Sequence, residues 1–380
     1  MIVGAGIGGL AAALALRRRG WDVRVIERAA SPRELGFALA LAPNALMALR
    51  ELGVLDAVAG TGAEIRLFHV RHANGSTLKR VTFGARTPRS VVTLRPALHG
   101  TLLDAVDPQA LLLGREARGF TLTPTGAAVV LADGSTVHGD IVVGADGVGS
   151  VIRAGLHPEE GPPRASGYHA LRGVTHDAGP LLGDADAGVY LGDGVECGFA
   201  RAGPTAVYWY ISLVDEFAGA GASPADILDR CLRDMDQRFV SLARAARPED
   251  VRLDALFVRD PIDEWGQGRV TLLGDAAHPV LPHTAQGAAL ALEDAVALGL
   301  ALTGRSDPAA ALRKYERVRS RRTRRVVQLG PRIAGLTTTR SRLRILMRNT
   351  AILALPGAVL SGSLKLHARD PHRELRLPQP

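Results

Sequence analysis

A glycine-rich turn near the start of the chain joins a first strand to a helix, and a second strand follows the helix. This arrangement limits the folds that the sequence can adopt. The turn runs from Gly4 to Gly9 in the pattern G-x-G-x-x-G, and a helix rich in Ala and Leu follows it to about Arg19. Gly20 ends that helix, and DVRVIE forms a second strand that finishes at Glu27. Strand, turn, helix and strand in this order predict a parallel βαβ unit.

Each glycine of this turn has its own task in a dinucleotide-binding unit. Gly4 permits the tight turn, Gly6 the close approach of a pyrophosphate, and Gly9 the packing of helix on strand. The pyrophosphate then meets the partial positive charge of the helix N-terminus. Glu27 lies about twenty residues further on, where a carboxylate accepts both ribose hydroxyls. The candidate residues at this end are Gly4, Gly6, Ile7, Gly8, Gly9, Glu27 and Arg28.

The acid at the end of the second strand selects among dinucleotides. A carboxylate suits an adenosine ribose without a 2′-phosphate, which leaves NAD and FAD. The first strand, Met1 to Val3, is short. A natural chain that begins a few residues before Met1 is therefore an open alternative.

Two later segments also place an acid directly after a buried strand. The first, DIVVGADG, ends in Asp146 and Gly147. In the second, GRVTLLGDAAHP, the strand ends in Gly274 and Asp275, and prolines stiffen a loop before an almost wholly apolar helix from Ala288 to Leu300. Taken alone, each segment is also typical of an ordinary strand and turn.

The ordered segments resemble the three fingerprints of the FAD-dependent aromatic hydroxylases, the single-component group typified by p-hydroxybenzoate and salicylate hydroxylases. The matching strings are GAGIGG with Glu27, GADGVGSVIR and GRVTLLGDAAHP. Two further segments, PNALMALRELGVLD and TLRPALHGTLLDAV, are similar to helices of that group. The resemblance extends to about Arg325.

The resemblance implies FAD as the cofactor and a place for its flavin end. Gly274 and Asp275 would hold the ribityl hydroxyls. The helix that starts at Gly287 and Ala288 would direct its positive end to N1 and O2 of the ring, where reduction leaves negative charge.

Further site residues follow from the same resemblance. Arg95 would contact FAD from the other side, and Asp146 would lie near the pyrophosphate. Pro282 would lie beside the reactive edge of the ring. His278 and His283 are both expected to be structural.

The resemblance further implies an α/β protein with two main sheets. A discontinuous, Rossmann-like FAD-binding domain with a parallel sheet comprises residues 1–63, 85–160 and 255–310. The substrate domain, residues 64–84 and 161–254, has a mostly antiparallel sheet, and residues 311–380 form C-terminal helices. In VYWYISLV, Tyr208 and Tyr210 share one face while Trp209 and Ile211 share the other. Tyr210 and Arg172 are candidates to line the substrate pocket, although both also fit ordinary sheet packing.

The resemblance implies a monooxygenase that consumes NADH or NADPH. It would insert one oxygen atom of O2 into an electron-rich aromatic or polycyclic small molecule through a flavin C4a-hydroperoxide, with Pro282, Arg172 and Tyr210 as candidate catalytic residues. Three alternatives stay open: a flavin-dependent reductase, a halogenase on the same fold, and a flavin-binding protein without turnover. The sequence lacks the WxWxIP string of the halogenases.

The charge of the chain raises the question of a nucleic-acid partner. The formal net charge is +8, and one dense basic cluster runs from Arg313 to Arg325. Tyr315 is the single aromatic residue of that cluster, whereas single-strand binding needs interleaved stacking residues. We therefore expect a solvated helix there and no nucleic-acid partner.

The remaining signals concern compartment and membrane. The two cysteines, Cys197 and Cys231, are far apart and form no CxxC pair. Neither a disulfide framework nor a metal site is therefore expected, and a reducing compartment, the cytoplasm, fits. TAILALPGAVL is too short to span a bilayer, so no membrane span is expected. The oligomeric state stays open.

Overall fold

Strands and helices alternate through most of the chain, and helices end its described part. The computed structural model describes residues 1–32, 36–84, 89–219, 223–304 and 307–356. The strands are β1 Ile2–Val3, β2 Val25–Glu27, β3 Ala38–Leu41, β4 Ala63–Glu64, β5 Leu67–His72, β6 Thr77–Thr82, β7 Val91–Leu94, β8 Leu111–Leu113, β9 Ala117–Leu122, β10 Ala127–Leu131, β11 Thr136–Gly139, β12 Val142–Gly144, β13 Arg164–His176, β14 Ala187–Leu191, β15 Val195–Arg201, β16 Ala206–Val214, β17 Val251–Val258 and β18 Val270–Leu272. The α-helices are α1 Ile7–Arg17, α2 Pro43–Glu51, α3 Leu55–Thr61, α4 Arg95–Ala105, α5 Val151–Leu156, α6 Asp215–Ala218, α7 Pro224–Leu232, α8 Gln237–Arg244, α9 Gly287–Ala301, α10 Pro308–Thr337 and α11 Arg342–Ala354.

Five strands form a parallel sheet in the order β18-β12-β1-β2-β8. Its neighbours come from distant parts of the chain, since Val3 pairs with Gly144 of β12 and Gly144 pairs with Leu272 of β18. On the other side, Val3 pairs with Ile26 of β2. Because parallel strands share one direction, the segments after these four residues emerge at one edge of the sheet. The predicted parallel sheet is confirmed.

Helices α1 and α9 lie side by side on this sheet through small residues. A Cβ added to Gly8 of α1 would lie 3.4 Å from the Cβ of Ala291, and one added to Gly299 of α9 would lie 3.0 Å from the carbonyl oxygen of Ala15. Early residues of α1 therefore face early residues of α9, and late residues face late ones. The two helices run parallel and begin at the same edge of the sheet.

A second sheet has seven strands in the order β17-β13-β16-β15-β14-β5-β6. Its neighbouring strands are antiparallel except for β14 and β5, so the prediction of a mostly antiparallel sheet is confirmed. Strands β5 and β6 form a hairpin that turns at Gly75, where φ is +89°. Strand β17 crosses the division expected between residues 254 and 255. Two antiparallel three-stranded sheets, β11-β10-β9 and β3-β7-β4, complete the architecture.

The two faces of the seven-stranded sheet differ. Trp209 and Ile211 are buried on the face that α7 and α8 cover, where Trp209 meets the ring of Phe239 edge-on. Tyr208 and Tyr210 lie on the opposite face, as the alternation predicted. We call that opposite face the front face. By the strand register it includes Ala170, Arg172, Glu196, Gly198, Tyr208, Tyr210 and Ser212.

Helices α10 and α11 end the described chain. Helix α10 is 30 residues long. Oδ1 of its N-cap residue, Asp307, accepts a hydrogen bond from the amide of Ala310 at 3.1 Å. The basic cluster lies on α10, but Arg319 is fully buried, so the prediction of a wholly solvated helix is wrong there. Among the described residues, no helix combines the length and apolar character needed to cross a membrane.

Candidate active site

Three loops meet at the edge of the parallel sheet where β1, β12 and β18 end. The amide of Ala145 donates to the carbonyl of Val3 at 2.8 Å, and the amide of Leu273 donates to the carbonyl of Gly144 at 2.9 Å. The glycine turn, the loop that carries Asp146 and the loop that carries Asp275 therefore start next to one another. The structure brings together the three segments that the sequence singled out.

The glycine turn after β1 excludes side chains at two positions. Gly4 has a φ of +102°, and a Cβ there would lie 2.5 Å from the carbonyl oxygen of Ala145. A Cβ on Gly9 would lie 1.9 Å from the carbonyl oxygen of Gly4. Gly6 is the N-cap of α1 and adds no side chain, and the first turn of α1 contains no acid. This end of α1, with Ile7 and Gly8, fits the pyrophosphate of a dinucleotide.

Glu27 lies at the end of β2, directly beside the glycine turn. Its Oε2 accepts a hydrogen bond from the amide of Ala5 at 2.9 Å, and its Oε1 accepts one from the amide of Ala29 at 2.8 Å. A carboxylate oxygen accepts more than one hydrogen bond, so the fixed carboxylate can still accept from a ribose. Arg28 and Gly114 line an open groove of about 610 Å³ next to it.

Helix α4 supports the glycine turn from the other side. His99 is buried, and its Nε2 lies 2.8 Å from the carbonyl oxygen of Ala5. Arg95, one helical turn earlier, begins α4. A Cβ added to Gly36 would lie 2.9 Å from Cδ of Arg95, so the arginine side chain passes close over Gly36.

The carboxylate of Asp146 is held by the start of α5. Its Oδ1 accepts a hydrogen bond from the hydroxyl of Ser150 at 2.5 Å, and its Oδ2 accepts one from the amide of Val151 at 2.8 Å. Burial raises the pKa of Asp146, and these hydrogen bonds act in the opposite direction. A Cβ on Gly4 would lie 3.1 Å from Cα of Asp146, which places this loop against the glycine turn.

The loop after β18 is anchored by a buried acid of α9. The amide of Gly274, which has a φ of +61°, donates to Oδ2 of Asp294 at 3.1 Å. His278 Nε2 lies 2.5 Å from the same oxygen, and Nε of Arg319 donates to Oδ1 at 2.6 Å. Burial alone would raise the pKa of Asp294, but His278 and Arg319 lower it to about 2. Asp275 itself is exposed at the sheet edge.

A second acid fixes the start of α9. Glu293 forms a 2.7 Å ion pair with Arg319, and Nδ2 of Asn44 donates to Oε1 of Glu293 at 2.5 Å. The same Asn44 nitrogen donates to Oε1 of Gln286 at 3.1 Å. Gln286 is the N-cap of α9, makes no side-chain cap, and is followed by a first turn without acids. The amides near Gly287 and Ala288 therefore present positive potential.

The loop before α9 reaches the front face of the seven-stranded sheet. His283 Nε2 lies 2.7 Å from Oγ of Ser212 on β16, and the His283 ring meets that of Tyr168 on β13. Its Nδ1 is buried and has no hydrogen-bond partner among the described residues. Burial lowers the pKa of His283, although Glu196 acts in the opposite direction. Pro282, next to it, is exposed.

Arg172 and Tyr210 are register partners on the front face. Arg172 forms a 2.5 Å ion pair with Asp254 and lies over the ring of Phe37. The Tyr210 hydroxyl donates to Oε1 of Glu196 at 2.5 Å. Burial and Glu196 raise the pKa of Tyr210 well above its usual value, so the hydroxyl stays protonated. The other oxygen of Glu196 is buried without a hydrogen-bond partner in the described part of the chain.

Comparisons with known proteins agree with this geometry. A family model described as "FAD binding domain" matches residues 1–330. The chain is 34% identical over 328 residues to aurachin C monooxygenase/isomerase of Stigmatella aurantiaca, with 85% of each chain covered. It is 33% identical over 343 residues to 3-hydroxybenzoate 6-hydroxylase 1 of Aquipseudomonas alcaligenes, with 86% of each covered. The chain belongs to the FAD-dependent aromatic hydroxylases.

The hydroxylase also matches solved structures. Klebsiella pneumoniae HpxO complexed with FAD and uric acid has a TM-score of 0.89 and 25% sequence identity, and the match covers 97% of this chain and 96% of that one. FAD is thus the cofactor of the hydroxylase. The relatives are named monooxygenases and hydroxylases, so the reductase, the halogenase and the non-catalytic flavin protein are not favoured.

Sequence reasoning missed several residues of the hydroxylase site. His99 had a signal, since it lies four residues after Arg95 on one helical face. Asp294 had a stronger one, because with Glu293 it interrupts an otherwise apolar helix. Glu196 and Ser212 had none, since each is a single polar residue in a strand.

Proposed function

We propose that the hydroxylase inserts one atom of O2 into an electron-rich aromatic or polycyclic small molecule, with NADH or NADPH as the reductant. The single observation that carries this proposal is the 2.7 Å contact between His283 and Ser212. It joins the loop of the proposed flavin site to the proposed substrate face. When bound and reduced, FAD supplies the electrons that activate O2.

We assign the adenosine half of the cofactor to the first βαβ unit. The amides of the glycine turn bind the pyrophosphate, and Glu27 accepts the ribose hydroxyls. Arg28 lines the groove for the adenosine. The assigned residues are Gly4, Gly6, Ile7, Gly8, Gly9, Glu27 and Arg28. The steric exclusion of side chains at Gly4 and Gly9 supports the assignment.

We assign the flavin half to the two other loops and to the start of α9. Asp275, held in place through Gly274 and Asp294, binds the ribityl chain. The amides at Gly287 and Ala288 stabilise negative charge on the reduced ring. Arg95 holds the ring from the side of α4, and Asp146 orders the loop next to the pyrophosphate.

The substrate lies on the front face, between Tyr210 and the loop at Pro282. Pro282 keeps this loop stiff and so limits the entry of water beside the ring. Arg172 and Tyr210 contact the substrate and orient it, and Asp254 and Glu196 already fix their polar atoms. The side chains that contact substrate are thus held in one arrangement before it binds.

We assign proton transfer to His283, in place of the structural role expected for it from the sequence. Burial lowers its pKa, so the imidazole is neutral at physiological pH. In the tautomer in which Nε2–H donates to Oγ of Ser212, Nδ1 holds the lone pair that accepts a proton from a phenolic hydroxyl. Loss of that proton makes the ring more electron-rich. The name of 3-hydroxybenzoate 6-hydroxylase supports a hydroxylated aromatic substrate.

Compartment, partners and domain limits complete the proposal. Cys197 and Cys231 are free and buried, which supports a reducing compartment, the cytoplasm. We propose no nucleic-acid partner.

The FAD-binding domain comprises residues 1–63, 85–160 and 259–310, with the boundary moved to 259 so that β17 stays whole. The substrate domain then comprises residues 64–84 and 161–258, and the C-terminal helical region begins at residue 311; residues 357–380 of the region expected from the sequence lie outside the described residues.

The test is oxygen incorporation. Purified hydroxylase is incubated with NADH or NADPH and a panel of phenols, quinolines and polycyclic aromatics in isotopically labelled oxygen gas. We expect at least one phenolic compound to stimulate NAD(P)H oxidation and to leave as a product with one labelled oxygen atom. If the product carries oxygen from water, or is reduced without oxygen, the monooxygenase proposal is wrong.

A further inference from the structure

Helix α11 presents a row of large apolar side chains to solvent. Leu343, Leu346, Met347 and Leu353 are 66%, 63%, 63% and 55% exposed. Their spacing of three, four and ten residues from Leu343 places them along one side of the helix. In the described part of the chain, no other large apolar side chain is more than half exposed. We call these four residues the α11 apolar row.

The opposite side of α11 faces the protein and includes two buried polar residues. Arg348 and Asn349 are only 5% and 7% exposed. Arg348 donates to the carbonyl of Thr337 at 2.9 Å and to Oδ1 of Asn349 at 3.0 Å. A surface helix normally buries its large apolar side chains, whereas α11 leaves four of them exposed and buries two polar ones. Because its inner side is fixed by hydrogen bonds, the apolar row cannot turn inward without breaking them.

The helix is also anchored to the edge of the seven-stranded sheet. Ile352 packs against Val70 and Leu78 of the hairpin β5–β6, and Nζ of Lys79 donates to the carbonyl of Leu353 at 2.8 Å. These contacts leave the apolar row directed away from the sheet. The row therefore needs a partner outside the described part of the chain.

The positive charge around the α11 apolar row indicates which kind of partner would bind it. The sequence has no Asp or Glu from Arg317 to Pro356. Arg342 and Arg344 lie on α11 itself and are exposed. A second copy of the chain would bring like charges together across a two-fold axis. An anionic lipid surface accepts both the apolar row and the arginines.

We propose that α11 docks the hydroxylase on an anionic lipid bilayer. The α11 apolar row enters the boundary between headgroups and acyl chains, and Arg342 and Arg344 contact the lipid phosphates. The helix lies in the plane of the surface and does not cross it. This inference is independent of the proposed catalytic roles.

The test is co-sedimentation of the full-length holoenzyme with vesicles. Vesicles of phosphatidylcholine alone are compared with vesicles that also contain phosphatidylglycerol. We expect binding to the anionic vesicles. Binding should weaken about 30-fold in Arg342→Gln/Arg344→Gln, as for two basic residues near such a surface. It should be lost in Leu346→Ser/Met347→Ser, whereas Leu122→Ser, which changes an exposed leucine of β9, should bind like the wild type.

Two further measurements complete the test. Flavin absorbance checks that each variant keeps its cofactor, and light scattering gives the oligomeric state. Failure of the wild type to bind anionic vesicles would overturn the proposal. So would a wild-type dimer that Leu346→Ser/Met347→Ser converts to a monomer, because the row would then be an interface between copies.

Discussion

Nε2 of His283 lies 2.7 Å from Oγ of Ser212, so the loop before α9 touches strand β16 on the front face of the seven-stranded sheet. This contact fixes one nitrogen of the imidazole and leaves Nδ1 as its free position among the described residues. His283 is therefore the residue on which the proposed proton transfer depends.

Replacing His283 by Gln should lower kcat about 100-fold or more with a phenolic substrate, because the amide can still reach Ser212 but cannot accept a proton. A base must be unprotonated, and burial lowers the pKa of His283 below 6.5. Wild-type kcat should thus stay level down to pH 6.5 and fall below it, and the variant should lose this acid limb. His138→Gln, at an exposed histidine of β11, is the control. An unchanged limb in His283→Gln would contradict the role.

Gly9→Ala should yield a protein without bound FAD, because its Cβ would lie 1.9 Å from the carbonyl oxygen of Gly4. Overpacking of this kind costs about 1–3 kcal/mol of stability. Gly100→Ala on α4 is the matched control, since a Cβ there meets open space. It should raise stability by about 0.5–1 kcal/mol. Flavin absorbance and thermal unfolding measure both effects, and a yellow, stable Gly9→Ala protein would refute the steric argument.

Asp275→Ala should weaken FAD binding by about 1–3 kcal/mol, or roughly 5- to 150-fold in Kd. Titration of apoprotein with FAD gives the Kd. The melting temperature of the apoprotein is measured beside it, so that a change in folding is separated from a change in FAD affinity. Glu159→Ala, which also removes an exposed acid, should leave the Kd unchanged. Equal affinities for the two variants would mean that Asp275 does not bind the cofactor.

Asp294→Asn should destabilise the protein by about 3–5 kcal/mol, because Glu293 would then be the one carboxylate facing the two guanidinium groups of Arg319 and Arg322. The pKa of Asp294 is held at about 2, against 3.8 for the free acid. The ionised carboxylate therefore contributes stability that is complete above pH 3.8 and is lost as the pH falls toward 2. The variant should lose this part of the acid sensitivity in urea unfolding. Asp229→Asn, in an exposed pair with Arg244, should keep it.

The cofactor end was predictable from the sequence because its signals are local. Gly4 and Gly9 belong to one turn, and Glu27 ends the next strand. The first parallel βαβ unit followed from the same pattern, and the resemblance of the segments around Asp146 and Asp275 implied the rest of the parallel sheet. The roles of these residues stay predictions, although their convergence is a property of the fold.

The front face was much less predictable, because its contacts join distant segments. His283 and Ser212 are 71 residues apart, and no periodicity marks either one. Glu196 meets Tyr210 only through the antiparallel register. The burial of Arg319 also escaped the sequence, because its partners, Glu293 and Asp294, lie on another helix.

The packing of α1 against α9 fixes the distance between the N-termini of the two helices. Gly8 faces Ala291 at one end of this contact and Gly299 faces Ala15 at the other, so the two helices cannot slide past each other without a clash. The N-terminus of α1 is proposed to bind the phosphates, and that of α9 the flavin ring. The distance between these two points is therefore fixed by packing in the core and not by the loops. A larger side chain at Gly299, far from both points, would push α1 and α9 apart and so change the distance between the binding points for the two ends of the cofactor.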